Sequence, residues 1–234
     1  RQRRPPAAGE HDQHHRPAGL PELERRAGVD PVERRLEGQL RRRVLADDAH
    51  AIDMEVAAAE DALTRAGIDR SEIDLLMTYT AVPDYLINNS ACVLHQRLGL
   101  GRGCMPLQLE ATAFSFLAQL QLAETWIASG RARHALVVQS TVLSRLIRVE
   151  DPYSPLFGDG ASAVVVGPVG SHRGMLRSVH RADTTHPYML VASPPGRRWY
   201  DDGRAALHSL DLPGAQRVFL RIADEAKEAV DAVL

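Results

Sequence analysis

The chain has 234 residues, of which 44% are hydrophobic and 25% are charged, a balance typical of a soluble globular protein. Its formal net charge is -2 and only 5% of its residues are aromatic, so nothing predicts binding to nucleic acid or to a membrane surface. No apolar run approaches the roughly 20 residues that a membrane-spanning helix needs. The two cysteines, Cys92 and Cys104, have neither metal-ligand spacing nor a disulfide pattern, so a reducing cytoplasmic location is expected.

Residues 1–46 form an opening segment rich in Arg, Pro and His. This composition predicts a solvated arm that is partly ordered at most, and it lacks the apolar core of a signal peptide. His11, His14 and His15 lie close in sequence. Without a helix or strand to arrange them, we expect no metal site there or elsewhere.

Between residues 47 and 170, segments with helical spacing alternate with short apolar runs. Apolar side chains from Ile52 to Ala66 recur every three or four residues, and Gly67 is placed to end that helix. Further helices are expected over 91–98 and 113–129, and strands over 74–80, 104–110, 134–140 and 161–167. Pro106 cannot donate to a sheet, so the strand that contains it is expected at an edge or a bulge.

Residues 171–234 are expected to form a loop-rich region that begins the second part of a larger fold. A strand is predicted over 174–180, followed by a loop rich in Pro, Arg and Asp to about residue 213. After this loop the sequence predicts an amphipathic helix with Val218, Ile222, Ala226 and Val230 on one face.

Alternating helices and strands predict an α/β fold in which helices cover a sheet. The helix over 113–129 is apolar nearly all round, which is typical of a helix that is buried on most sides. A position between two sheets would explain this pattern. The chain has too few predicted strands for two complete sheets, so about half of such a sandwich is expected to lie outside it.

Three segments, in this order, resemble ketoacyl-acyl-carrier-protein synthase III of the thiolase superfamily. They are AGIDRSEIDLLMTYTAVPDYLINNSACVLHQRLGL, EATAFSFLAQLQLAETWIASGRARHALVVQSTVLSR and FGDGASAVVVG. The resemblance covers roughly residues 47 to 170, and RVFLRIADEA is similar to the first helix of the family's second half. It implies the amino-terminal half of a five-layered αβαβα fold, with a mixed sheet and a buried central helix.

The family's chemistry, which the resemblance implies, is acyl transfer and decarboxylative condensation of thioesters in fatty-acid or polyketide biosynthesis. A cysteine at the start of the central helix takes an acyl group from coenzyme A, and a His and an Asn from the second half stabilise the developing charge. The free N–H groups and positive dipole at a helix start favour a thiolate there. Coenzyme A thioesters, an acyl carrier protein and a second subunit are the implied substrates and partners, and no tightly bound cofactor is expected.

Alignment without gaps places the family's nucleophile at Ala113, which cannot form an acyl-enzyme. The hydroxyls of Thr112 and Ser115 are the remaining candidates nearby. We expect Thr112 to cap the helix and Ser115 to point away from a cleft at position 113, because two residues span about 200° of a helix. The resemblance also implies that Arg26 approaches the adenine end of coenzyme A, whereas Asp151 stands near a position where the family has an arginine.

Three interpretations follow from these features. The chain is part of a condensing enzyme whose own residues are inactive, a non-catalytic partner of an active ketosynthase in a homodimer or heterodimer, or a fragment without independent function. All three depend on Ala113 lying at the start of the central helix.

Overall fold

The structure is a computed structural model, and it describes residues 43–148, 151, 154–170 and 173–233. Its helices are α1 (Ala51–Ala66), α2 (Ser90–Leu98), α3 (Ser115–Ala128) and α4 (Leu212–Val233). Its strands are β1 (Ile73–Thr80), β2 (Met105–Gln108), β3 (His134–Thr141), β4 (Gly160–Val166), β5 (Val191–Ser193) and β6 (Ala206–His208).

The ends of α1 and α2 follow from local chemistry. The side chain of Asn89 accepts a hydrogen bond from the N–H of Cys92 and so caps the start of α2. Gly67 and Gly99, which end α1 and α2, adopt φ angles of 65° and 64°, where a side chain would be strained. Gly67 therefore ends α1 as predicted, and α2 agrees with the helix predicted over 91–98 to within one residue.

The first four strands form a mixed sheet in the order β2-β1-β3-β4. Strands β2, β1 and β3 are parallel, and β4 runs antiparallel to β3. The short strand β2 lies at one edge, where the missing N–H of Pro106 costs no ladder bond, as the sequence predicted. Parallel strands joined by helices bring the carboxyl ends of β1, β2 and β3 to one side of the sheet.

The two faces of the sheet carry separate hydrophobic clusters. On one face, α1 and α2 pack on Leu76, Leu136 and Val138. On the other face, α3 packs on Leu75, Met77 and Val137. The alternation along β1 and β3 reflects the two-residue period of a strand, and each buried Leu or Val contributes about 1.5–3 kcal/mol.

The prediction that α3 is buried on most sides is wrong for the residues that the structure describes. Only Ser115, Gln119 and Ala123 are fully buried in this helix, and Leu117 is 55% exposed. The reason is that, in the described part of the chain, the four-stranded sheet covers one side of the helix.

The region after β4 differs from its prediction in two places. Residues 174–180 contain no strand, and a short antiparallel pair, β5 and β6, interrupts the predicted loop. The final helix is present as α4, but Ile222, Ala226 and Val230 on its apolar face are exposed. Among the described residues, no helix combines the length and hydrophobicity needed to cross a bilayer.

Candidate functional site at the start of helix α3

The start of α3 lies where β1 and β2 end. Gln119, fully buried on α3, donates from Nε2 to the carbonyl oxygens of Thr78 and Leu109, each at 2.9 Å. Its Oε1 accepts a hydrogen bond of 2.6 Å from Nε2 of Gln139 on β3. One side chain therefore connects the ends of all three parallel strands to the helix above them. Sequence reasoning missed this role, although a glutamine in an otherwise apolar helix was a usable signal.

The connection from β2 to α3 is a tight 3-10 turn over Thr112–Phe114. Thr112 has a φ of 49°, in the left-handed region that β-branched residues rarely adopt. Oγ of Ser115 accepts from the N–H of Ala111 at 2.8 Å and donates to the carbonyl oxygen of Thr112 at 2.7 Å. Ser115 thus holds the turn closed from inside the protein.

Ala113 lies in this turn with its methyl group exposed. Phe114 occupies the N-cap position of α3, and its side chain makes no capping hydrogen bond. A helix start without a side-chain cap leaves N–H groups and a partial positive charge available to an anion. The methyl group of Ala113 cannot act as a nucleophile at the start of the helix.

The hydroxyls of Thr112 and Ser115, on either side of Ala113, form hydrogen bonds with backbone groups. Oγ1 of the exposed Thr112 donates to its neighbour's carbonyl oxygen, that of Ala111, at 2.8 Å. Thr112 therefore does not cap α3, and the expectation that it would is wrong, because α3 begins at Ser115 and Phe114 occupies its N-cap position. Ser115 is only 1% exposed and uses its hydroxyl both as donor and as acceptor, so neither hydroxyl is arranged for nucleophilic attack.

The side chain of Phe114 is partly exposed and contacts a later segment of the chain. Its ring meets the imidazole of His180 edge to face, with 5.8 Å between ring centroids. Residues near 180 therefore flank the turn that carries Ala113.

The two cysteines do not supply the missing nucleophile. Cys104 is buried before β2, and burial together with the nearby carboxylate of Asp74 raises its pKa to about 11, so its thiol is protonated at neutral pH. Cys92 is exposed on the outer side of α2. The buried face of that helix is formed by Ala91, Leu94 and Leu98.

The Gly-Asp-Gly segment before β4 has a wider structural role than a turn. The carboxylate of Asp159 accepts from the N–H of Leu45 at 2.8 Å and from the N–H and hydroxyl of Ser144 at 3.1 and 2.5 Å. It joins the segment before α1 to the residues that follow β3. Leu45 and Asp159 are more than 100 residues apart in sequence, so local sequence patterns could not predict their contact.

Comparison with known proteins finds similarity to one family. Residues 107–184 match the model of 3-oxoacyl-(acyl-carrier-protein) synthase III. A β-ketoacyl-(acyl-carrier-protein) synthase III of Neisseria meningitidis is 33% identical over 193 residues, which are 80% of this chain and 59% of that protein. The chain is similar to 3-oxoacyl-(acyl-carrier-protein) synthase III over most of its length.

Solved structures show the same similarity. The priming β-ketosynthase of a polyketide biosynthetic pathway is 30% identical, with a TM-score of 0.68 over 82% of this chain and 57% of that chain. Synthase III of Thermus thermophilus is also 30% identical, with a TM-score of 0.63 over 76% of this chain and 56% of that chain. The fold is therefore thiolase-like α/β, and the chain spans less than two thirds of the length of these synthase III relatives.

Two positions that the family resemblance singled out have different outcomes. Arg26 and the rest of the predicted arm up to residue 42 lie outside the described residues. Asp151 follows β3, where its carboxylate accepts a hydrogen bond of 2.8 Å from the N–H of Arg148. Among the described residues, no group of three or more His, Cys, Asp or Glu side chains is arranged to hold a metal ion.

Proposed function

We propose that this chain is a synthase III-like protein whose central helix retains a site for an anion but lacks the nucleophile of an acyl transferase. The observation that carries the proposal is the exposed Ala113 in the turn that opens the uncapped start of α3. An alanine in that place cannot take an acyl group from a thioester, so the described residues form no acyl-enzyme.

The natural ligands that we propose are thioesters of coenzyme A and of an acyl carrier protein. The names of the similar proteins support this choice, since the names of both the Neisseria protein and the matching family include the acyl carrier protein. We propose no tightly bound cofactor, because the implied chemistry uses thioester substrates. A second subunit, identical or related, completes the proposed assembly.

The proposal is tested by restoring sulfur at the start of the helix. In Ala113→Cys, the thiol should be acidified by the helix N-terminus, so its pKa should fall by about one unit or more below the ordinary value of about 8.5. The rate of alkylation by iodoacetamide as a function of pH measures this. The matched control is Ala128→Cys, an exposed position at the opposite end of the same helix.

Acyl transfer is measured on the same proteins with radiolabelled acetyl-coenzyme A. The unmodified chain should take no covalent label. Stable labelling of Ser115 or Thr112 would overturn the inactive interpretation. A thiol at position 113 that is no more acidic than one at position 128 would show that the helix start is not an anion site.

A second candidate function is that of a non-catalytic partner of an active ketosynthase. The supporting observation is the pair of large apolar side chains beside Ala113, Phe114 at 41% and Leu117 at 55% exposure. Such side chains favour cover by another protein surface. Co-expression with a cysteine-containing synthase III should give a mixed assembly that Leu117→Glu weakens, and separate elution of the two chains would exclude this function.

A further inference from the structure

One buried carboxyl group, which the candidate site does not use, connects α1 to the sheet. Glu55 lies on α1 and is only 1% exposed. Its Oε1 accepts hydrogen bonds from the hydroxyl of Thr80 on β1, at 2.5 Å, and from the hydroxyl of Ser140 on β3, at 2.6 Å. Glu55 therefore joins the helix to the carboxyl ends of two neighbouring strands.

The hydrogen bonds continue from Glu55 to the other helix on this face of the sheet. Because Thr80 donates to Glu55, its Oγ1 can accept from the hydroxyl of Ser90, which lies 2.9 Å away at the start of α2. The N–H of Ser90 donates to Oε1 of Gln108, at the end of β2, at 3.0 Å. One carboxyl group thus belongs to a network that includes α1, α2 and the ends of three strands.

The second oxygen of Glu55 lacks such contacts. Oε2 has essentially no surface accessible to solvent and no hydrogen-bond partner among the described residues. An open cavity lies alongside, between α1 and the loop after β1, but water in it cannot reach an oxygen that has no accessible surface. A buried charged oxygen with neither a donor nor water is far more costly than a neutral one.

The charged groups at the start of α1 do not compensate a charge on Glu55. The carboxylate of Asp84 has the same sign and disfavours ionisation of Glu55. It accepts hydrogen bonds from the N–H groups of Ala51 and Ile52, at 3.2 and 3.4 Å. The imidazole of His50 faces this carboxylate, with Nδ1 at 3.3 Å from Oδ1, so a proton on His50 serves Asp84.

The other elements around α1 bring no positive charge to this carboxyl group in the described part of the chain. Arg97 of α2 forms an ion pair of 3.0 Å with Asp53. Strand β4 contains no titratable residue. Asp74 and His134 lie at the far ends of β1 and β3, and Tyr79 points to the opposite face of the sheet, as the two-residue period of a strand requires.

We propose that Glu55 is an uncharged carboxylic acid in the folded chain, with its proton on Oε2, and that this proton makes the packing of α1 and α2 on the sheet sensitive to pH. In the unfolded chain the same side chain meets water and ionises with an ordinary pKa of about 4.3. Above that pH, folding takes up one proton from solvent and unfolding releases it. The proposal does not depend on the proposed function, because Glu55 and the turn at Ala113 lie on opposite faces of the sheet.

The direction of the pH dependence follows from the sign of this exchange. Burial raises the pKa of Glu55, the hydrogen bonds from Ser140 and Thr80 oppose the rise, and the carboxylate of Asp84 adds to it. The contribution of Glu55 to stability is therefore fully present below the pKa of the unfolded chain and is lost as pH rises through the pKa of the folded chain. Between these two pKa values, the equilibrium constant for folding should fall by about tenfold for each pH unit.

The test compares urea unfolding of the whole chain with that of Glu55→Gln at several pH values between about 5 and 9. Gln keeps an acceptor for Thr80 and Ser140 and cannot ionise, so the ratio of the two folding constants, unmodified chain over variant, should fall by up to about tenfold for each pH unit. The matched control, Glu60→Gln, removes a carboxyl group from an exposed position on the same helix and should keep the pH dependence of the unmodified chain. The same pH dependence in Glu55→Gln would overturn the proposal.

Infrared spectroscopy keeps the test decisive if Glu55→Gln does not fold. In the unmodified chain with carbon-13-labelled glutamate, the carbonyl stretch of a protonated carboxyl group should persist at about pH 6, where exposed glutamates are ionised, and should disappear as pH rises further. Ser140→Ala removes a hydrogen bond that favours the ionised form, so the band should persist to higher pH. A purely structural role of this hydroxyl would lower stability without moving the pH at which the band disappears. No such band at about pH 6, or no movement in Ser140→Ala, would overturn the proposal.

Discussion

At the scale of single residues, Ser115 decides the shape of the candidate site. Its hydroxyl is the donor and acceptor that closes the turn between Ala111 and Thr112. A residue that the sequence offers as a possible nucleophile thus has a structural role. These two hydrogen bonds fix the position of Ala113 relative to the start of α3.

Replacing Ser115 by alanine should lower the free energy of unfolding by about 1–2 kcal/mol. The reason is that the N–H of Ala111 loses its acceptor in a partly buried turn. Denaturation in urea, followed by circular dichroism, measures the change. The matched control is Thr112→Ala, which removes a hydroxyl from an exposed residue and should change stability by less than about 0.5 kcal/mol. Equal losses in the two variants would show that Ser115 does not hold the turn.

The roles of these two hydroxyls could be predicted only in part. Helical spacing placed Ala113 and Ser115 on different sides of one helix, whereas Ala113 lies in the 3-10 turn before α3; it is exposed and Ser115 is buried. The 3-10 turn and the positive φ of Thr112 could not be predicted, because a threonine gives no local sign that it will adopt a left-handed conformation. The helix therefore begins at Ser115, later than the sequence indicated, and Thr112 lies before its N-cap.

At the scale of elements, α1 depends on a residue outside it. The carboxylate of Asp84, from the loop after β1, accepts hydrogen bonds from the first two N–H groups of the helix. A side chain distant in sequence thus adds to the local cap, in which the carboxylate of Asp53 accepts from the N–H of His50. The negative charge of Asp84 also interacts favourably with the helix dipole, because it lies near the positive end of α1.

Asp84→Ala should therefore destabilise the protein by about 0.5–2 kcal/mol, as loss of a helix cap does. The midpoint of thermal unfolding would fall accordingly. Asp61→Ala is the control, since Asp61 is exposed on the same helix and makes an i,i+4 pair with Arg65 that is worth less than about 0.5 kcal/mol. If both variants unfold at the same temperature, the distant cap contributes nothing.

Most elements of the sheet and its helices could be predicted from the sequence. Gly67, Asn89 and Gly99 mark helix ends by chemistry that acts within a few residues, and Pro106 indicates an edge strand for the same kind of reason. The contacts of Asp84, Gln119 and Asp159 could not be predicted, because each joins segments that only the folded chain brings together. The strand predicted over 174–180 failed since no neighbouring strand pairs with it in the described structure.

At the scale of the whole molecule, the described residues leave two apolar surfaces uncovered. One is the side of α3 that carries Leu117, and the other is the stripe of α4 that carries Phe219, Ile222 and Val230. Ion pairs such as Arg181 with Glu228 attach α4 to the segment before it, without covering that stripe. Large exposed apolar patches mark surfaces that associate with other protein.

The isolated chain should therefore self-associate, and charges on the stripe of α4 should reduce this. We expect the double variant Phe219→Lys with Ile222→Glu, which keeps the net charge, to sediment as a smaller species than the unmodified chain at the same concentration. Both side chains are more than half exposed, at 70% and 57%, so their replacement removes little folded-state packing. Arg217→Glu with Asp224→Lys also keeps the net charge but changes the opposite face of α4, and it should leave sedimentation unchanged. A monomeric unmodified chain, or equal effects of the two double variants, would mean that the apolar stripe does not drive association.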